Sequence, residues 1–375
     1  MSILSNNLLK ANIKKLGFGF MRLPKANGDF DLEQINKMVD IFMENGYTYF
    51  DTAYVYEGSE EAMRETLVKR HPRDKFTIAS KLNMFTVENS DQLVERFNTT
   101  CTRLGTDYLD FYLLHGLNEK TNAKAESLGA WEFVSGLKAK GSVRHLGFSF
   151  HGPANELRAI LEKHPEAEFV QLQINYLDWE SEKVQSRAVY EVAREFNVPI
   201  IIMEPIKGGS LASDLSPIAP VLKKYNPDVS VSSWALRYAA SLEGVLTTLS
   251  GMSALDQLID NVNTVNNLTP LSSEENAIIL EAVDIINSIP RIPCTRCEYC
   301  VKGCPQNIKI PDLMNLYSNY LIYKTTASIN HVYRIHTKDG SLASTCIQCK
   351  KCEDICPQGI EITDILKNLA DLLDN

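Results

Sequence analysis

Eight of the nine cysteines in this 375-residue chain fall into two dense runs. The first is Cys294-Thr-Arg-Cys297-Glu-Tyr-Cys300-Val-Lys-Gly-Cys304-Pro305. The second is Cys346-Ile-Gln-Cys349-Lys-Lys-Cys352-Glu-Asp-Ile-Cys356-Pro357. Both read C-x2-C-x2-C-x3-C-P. Thiolates in that number and at that spacing suit iron–sulfur clusters of the 4Fe-4S type. Structural zinc wants a tetrahedron of ligands, usually drawn from two separated pairs, and four cysteines crowded into each short run fit it poorly. Disulfides need an oxidising compartment. Residues 1–15 show no basic stretch leading into an apolar core, so no secretory signal is expected.

The tail from Cys294 onward resembles bacterial two-cluster ferredoxins. In these, each run gives three thiolates to one cluster and its fourth to the other. The resemblance implies that Cys294, Cys297, Cys300 and Cys356 hold one 4Fe-4S cluster. Cys346, Cys349, Cys352 and Cys304 hold the second. Four thiolates outweigh the charge of an oxidised cluster core, so two clusters make this otherwise neutral tail acidic.

The remaining chain must explain why so large a protein carries such a tail. Short runs rich in Ile, Val, Phe and Tyr alternate with stretches of helical period. Candidate strands are residues 16–23, 47–53, 76–82, 109–115, 143–150, 169–176, 199–206 and 245–252. Between them, residues 31–45, 89–104, 128–139, 157–161 and 184–196 read as amphipathic helices. In the first, Leu32, Ile35, Met38, Val39 and Phe42 share a face, and Gly46 ends it. Eight strand–helix units imply an α/β fold, a parallel (β/α)8 TIM barrel. An open doubly wound sheet would advertise a Gly-x-Gly-x-x-Gly turn before its first helix. Here Gly17-Phe-Gly19 sits within the first strand and leads into Met-Arg-Leu-Pro. A further helix is expected at 272–289, with Pro290 and Pro293 as the boundary. The domains are therefore 1–290, a barrel, and 291–375, a small α+β ferredoxin-like two-cluster domain. Within the latter, residues 312–323 and 362–373 read as helices, and the last of these is amphipathic enough to pack on the barrel.

In such barrels chemistry gathers at the C-terminal ends of the strands. The second candidate strand ends in Asp51-Thr-Ala-Tyr-Val-Tyr56, the third in Ser80-Lys81 and the fourth in Leu-Leu-His115. Reducing a carbonyl takes a hydride to carbon and a proton to oxygen. Tyr56 can donate the proton, although a free phenol has a pKa of about 10. An ammonium such as Lys81 brings that value toward neutrality. Asp51 would hold Lys81 charged and in place, and His115 would orient the carbonyl oxygen. These residues, in this order, resemble the Asp-Tyr-Lys-His tetrad of the aldo-keto reductases. The likeness runs from about residue 15 to 270, through Gly147-Phe-Ser149, Gln171, Pro205-Ile-Lys-Gly-Gly209 and Ser250-Gly251 to Asn261. Fused iron–sulfur tails occur in one branch of that family.

The hydride must come from a bound cofactor. The resemblance implies a nicotinamide against Ser149 and Gln171, with Met203 where the family stacks a tyrosine. Its pyrophosphate would lie by Gly208 and Gly209, and its remaining contacts are Met21, Arg22, Ser250, Gly251 and Asn261. Phe150 stands where the family commonly has Asn. The stretch 251–257 has no base to pair with a 2'-phosphate, so NADH competes with NADPH. Among the other histidines, His71, His164, His331 and His336 read as surface positions and His151 as a loop residue.

The expected function is reduction of an aldehyde or ketone, or oxidation of the alcohol. The alternative is an iron–sulfur electron-transfer protein whose barrel is a docking or ligand-binding platform. Expected partners are a small carbonyl substrate and an electron-transfer protein. The formal net charge is -9, with the signs interspersed, so no nucleic-acid footprint is expected. No apolar run reaches membrane-spanning length, and a cytoplasmic location is the expectation.

Overall fold

A computed structural model describes Leu8 and residues 13–214, 216–323 and 326–374. They form two compact units. One comprises residues 1–206 and 229–275, the other residues 207–228 and 276–375. The segment after the seventh barrel strand therefore belongs with the cysteine-rich part of the chain.

The first unit is a closed barrel of eight parallel strands. These are β1 (Leu16–Gly19), β4 (Tyr49–Asp51), β5 (Thr77–Asn83), β6 (Leu109–Leu117), β7 (Val143–Phe150), β8 (Phe169–Gln173), β9 (Ile200–Met203) and β10 (Val245–Ser250). Each pairs with the next, and β1 closes the ring against β10. Parallel strands covered on both faces read as continuous apolar runs, and every residue of β6 is buried. Outside the barrel, Ile35, Met38, Val39 and Phe42 from the helix Leu32–Glu44 pack against Leu16, Phe18 and Phe50. Asp31 starts that helix by accepting from the Gln34 N–H (3.0 Å).

The strands are shorter than expected at several ends. Residues 20–22 turn into a 3-10 helix instead of extending β1. A hairpin, β2 (Lys25–Ala26) with β3 (Asp29–Phe30), follows. Asn27-Gly28 forms its turn with both φ values positive (54° and 96°), a strong local hairpin signal that the strand reading passed over.

The second unit is built on a repeat. The helices Tyr299–Lys302 and Ile310–Tyr323 recur as Lys351–Asp354 and Ile362–Leu373. Left-handed residues recur in step, Arg296, Glu298 and Asn307 matching Gln348, Lys350 and Gly359. Among its described residues the unit holds helices and no strand, so the expected α+β character is corrected to α. The physical reason is that left-handed residues at Arg296, Glu298, Gln348 and Lys350 interrupt each run just before its helical turn, so it does not continue as a regular strand. The helix Ile362–Leu373 spends its apolar face on this unit's own core, where Ile362, Ile365, Leu366 and Leu369 meet Ile308, Leu313 and Met314. No barrel surface is needed to account for its amphipathicity. No helix among the described residues is long and apolar enough to cross a membrane.

Candidate functional site

Side chains alternate across a strand, so parity decides which residues enter the barrel. Tyr49, Ala79, Leu113, Phe169 and Ile201 share one buried inner cluster. Asp51, Lys81, His115, Gln171 and Met203 each stand two residues further along the same strands. They point inward at the C-terminal end, and Ser149 pairs in register with Gln171.

Lys81 is buried and donates to Asp51 Oδ1 (2.6 Å) and to the Thr52 carbonyl (2.6 Å). Burial pushes the Asp51 carboxyl up and the Lys81 ammonium down, and each opposes the other's shift. Lys81 Nζ lies 5.1 Å from the centre of the Tyr56 ring. That ring stands edge-on to His115, with centroids 6.0 Å apart and planes at 87°. His115 is held well below its ordinary pKa, first by burial, then by Lys81 and His151. It is a neutral imidazole beside a phenol and an ammonium. His151 is itself lowered to about 4 by burial, so this loop histidine belongs to the electrostatics of the site.

Asn83 was missed in the sequence, although it lies two residues beyond Lys81 with the same parity. It is buried, pairs in register with His115, donates to Thr86 Oγ1 (2.7 Å) and accepts from the Phe85 N–H (2.9 Å). Phe85 in turn packs against His115, with ring centroids 5.8 Å apart. Trp179 packs against Tyr190 and Tyr238, with ring centroids 5.5 and 5.8 Å away. His164 is buried and stacks on Trp131 at 4.0 Å, correcting its surface reading, because the stack covers one face of the ring and Glu126 and Glu166 meet its two nitrogens. His71 pairs with Asp40 and His336 with Asp312, both half-buried. The His331 side chain lies outside the described residues.

The residues expected at a nicotinamide divide into groups. Ser149 Oγ accepts from the Gly116 N–H (2.7 Å). Gln171 is buried, and its Oε1 has no hydrogen-bond partner among the described residues. A buried acceptor costs about 1–3 kcal/mol when unpaired, so a carboxamide donor fits there. Across the barrel, Arg22 packs its side chain over Gly251, and its carbonyl accepts from Ser253 Oγ (2.7 Å). Arg22 also faces Glu204 at 3.9 Å. A guanidinium therefore stands beside a stretch that has no base of its own. Asn261 is buried and donates to Ser250 Oγ (2.9 Å). Met21 and Met203 are half-buried.

In the second unit the cysteines surround two cavities. Cys294, Cys297, Cys300 and Cys356 line one, with Thr295, Ile310, Met314 and Gln358. Cys304, Cys346, Cys349 and Cys352 line the other, with Gln306, Ile308 and Leu366. Burial and then the neighbouring thiols push Cys300 up, and burial pushes Cys352 up to about 12. Sulfur anions in such a place need positive charge among them, which an iron–sulfur core brings. The donor sets fit that group. Gly208 has φ +62°, and a Cβ there would stand 2.6 Å from the Thr295 carbonyl. Its bare α-carbon is taken up by Thr295. Gly209 (φ +94°) has open space around it.

The family model of the aldo/keto reductase family matches residues 15–284, and that of the 4Fe-4S dicluster domain matches residues 293–361. The aldo-keto reductase str7 of Strobilurus tenacellus is 29% identical over 212 residues, covering 53% of this chain and 60% of that protein. The chain thus spans about three fifths of that relative's length. The uncharacterized oxidoreductase YqkF of Bacillus subtilis is 23% identical over 287 residues, covering 68% of this chain and 88% of that protein. Among solved structures, the holo form of an aldo-keto reductase from Bacillus halodurans has a TM-score of 0.57 and 26% identity, covering 72% of this chain and 92% of that one. An aldo-keto reductase of Klebsiella pneumoniae in complex with NADPH has the same TM-score with 20% identity, covering 72% and 90%.

Proposed function

From the premise that this chain belongs to the aldo/keto reductase family, we propose that it reduces an aldehyde or ketone with NADH or NADPH. The observation that carries this reading is the approach of Tyr56 to Lys81 on one side and to His115 on the other. A reduced nicotinamide, when bound, supplies the hydride; the NADPH of the Klebsiella pneumoniae relative supports that choice. Ser149 and Gln171 would hold its carboxamide, and Arg22 its phosphates. The Tyr56 hydroxyl gives its proton to the carbonyl oxygen. Lys81, held by Asp51, stabilises the negative charge left on the phenol oxygen. His115, being neutral, keeps an N–H to orient the substrate oxygen without competing as an acid.

In the tail, Cys294, Cys297, Cys300 and Cys356 would hold one 4Fe-4S cluster, and Cys304, Cys346, Cys349 and Cys352 the other. Clusters move single electrons, whereas the barrel chemistry moves a pair, so carbonyl reduction does not draw on the clusters. Cys349 is exposed, which favours a second role in which a partner protein exchanges electrons with the nearer cluster. Thiolates kept in that state point to a reducing cytoplasm.

Tyr56→Phe tests the first reading. With NADH and NADPH and a panel of carbonyl compounds, kcat should fall by about 100- to 10,000-fold, while cofactor binding, read by fluorescence, stays unchanged. Turnover equal to that of the parent protein removes the assignment.

A further inference from the structure

We propose that Lys207 is the built-in counter-charge of the cluster held by Cys294, Cys297, Cys300 and Cys356, and that it raises this cluster's reduction potential. The inference rests on the cluster reading above. Lys207 is 2% exposed. Its ammonium donates to Gln358 Oε1 (2.8 Å), and Gln358 lies in the wall of the first cysteine cavity, two residues after Cys356. The backbone is bent to bring it there. Lys207, Gly208 and Gly209 have φ of 45°, 62° and 94°, and Gly208 lets Thr295, another wall residue, approach its α-carbon.

The repeat supplies an internal control. The residue that matches Gln358 is Gln306, in the wall of the second cavity. Gln306 is half-buried and, among the described residues, has no ammonium or guanidinium bonded to it. Other charges line the cavities too, namely Glu298 at the first and Lys350 and Lys351 at the second, and all three are exposed. Water screens them, whereas a charge in a protein interior acts through an effective dielectric constant of about 20 and is felt about four times as strongly. A reduced cluster carries one more negative charge than an oxidised one. A fixed buried cation therefore favours the reduced form.

The test is an anaerobic redox titration, followed by electron paramagnetic resonance, of the full chain with its clusters loaded. Lys207→Gln keeps a donor for Gln358 and removes only the charge; Lys207→Arg keeps the charge. Lys207→Gln should lower the reduced-to-oxidised ratio of one cluster about tenfold at a fixed potential, a shift of about 59 mV for a one-electron couple. The other cluster should not move, and Lys207→Arg should titrate like the parent. Cys349→Ser marks the second cluster's spectrum, and the shift should stay with the unmarked cluster. Unchanged potentials in Lys207→Gln, an equal shift in Lys207→Arg, or a shift on the marked cluster overturns the proposal. A parent protein that binds no iron overturns the cluster reading itself, and this inference with it.

Discussion

Asp51 and Lys81 form an ion pair with almost no access to water. Removing one member of such a pair leaves an uncompensated buried charge, which costs about 3–5 kcal/mol, whereas removing both can be nearly neutral. Asp51→Asn should therefore lower the unfolding free energy by about that much in denaturant titrations. Adding Lys81→Met should restore most of the loss without restoring turnover. The histidines set a pH limit. An unfolded histidine titrates near 6.5, while burial holds His115 well below that and His151 down to about 4. Below about pH 6.5 the unfolded chain binds more protons than the folded one. The histidines' contribution is thus fully present above that pH and is lost as pH falls through the folded values. Thermal melts between neutral and acid pH should show the midpoint dropping in that window, and His115→Gln with His151→Gln should flatten the drop.

At the scale of elements, the end of β6 shows how local backbone serves the site. Gly116 follows His115 with φ +67°, and the register between β6 and β7 shifts between Leu114 and Leu117. A Cβ at this position would collide with the Phe85 ring, the same ring that supports His115. Gly116→Ala should cost about 1–3 kcal/mol through overpacking and should also lower kcat, because Phe85 can yield only by releasing the imidazole. A variant with a lower melting temperature and unchanged kcat would separate the glycine from the site. The hydrophobic period made the helix Leu32–Glu44 legible to within a residue at each end. Residues 20–22 were not, since an apolar run carries no sign of where a strand curls into a 3-10 turn.

For the whole molecule, two chemistries share a chain. The tetrad comes entirely from the unit formed by residues 1–206 and 229–275, and the cysteines come entirely from the other. Cys349→Ala with Cys352→Ala should therefore lose the iron of one cluster, measured by metal analysis and visible absorbance, and keep nicotinamide-dependent carbonyl turnover. Loss of turnover in a well-folded variant would mean that the clusters take part in catalysis. The cluster cavities are walled by Ile310, Met314 and Leu366 from the unit's two long repeat helices. Helical circular dichroism should accordingly fall when the metal is chelated.

Residue type and spacing alone picked out the eight clustered cysteines, the barrel class and the four polar residues that close three strands. Each is a local or periodic property: a cysteine repeat, a strand–helix alternation, an ionisable group ending an apolar run. Tertiary structure decided what no window of sequence contains. Parity around a closed barrel turned Asp51, Lys81 and His115 toward one another and added Asn83. Closure of β1 on β10 set Arg22 over Gly251, 229 positions away in the chain, supplying a cation to a stretch that lacked one. Folding also carried Lys207, which reads as part of a barrel loop, to Gln358, a residue in the wall of the first cysteine cavity. Contacts between residues so far apart depend on which surfaces the fold brings together, and periodicity is silent about that.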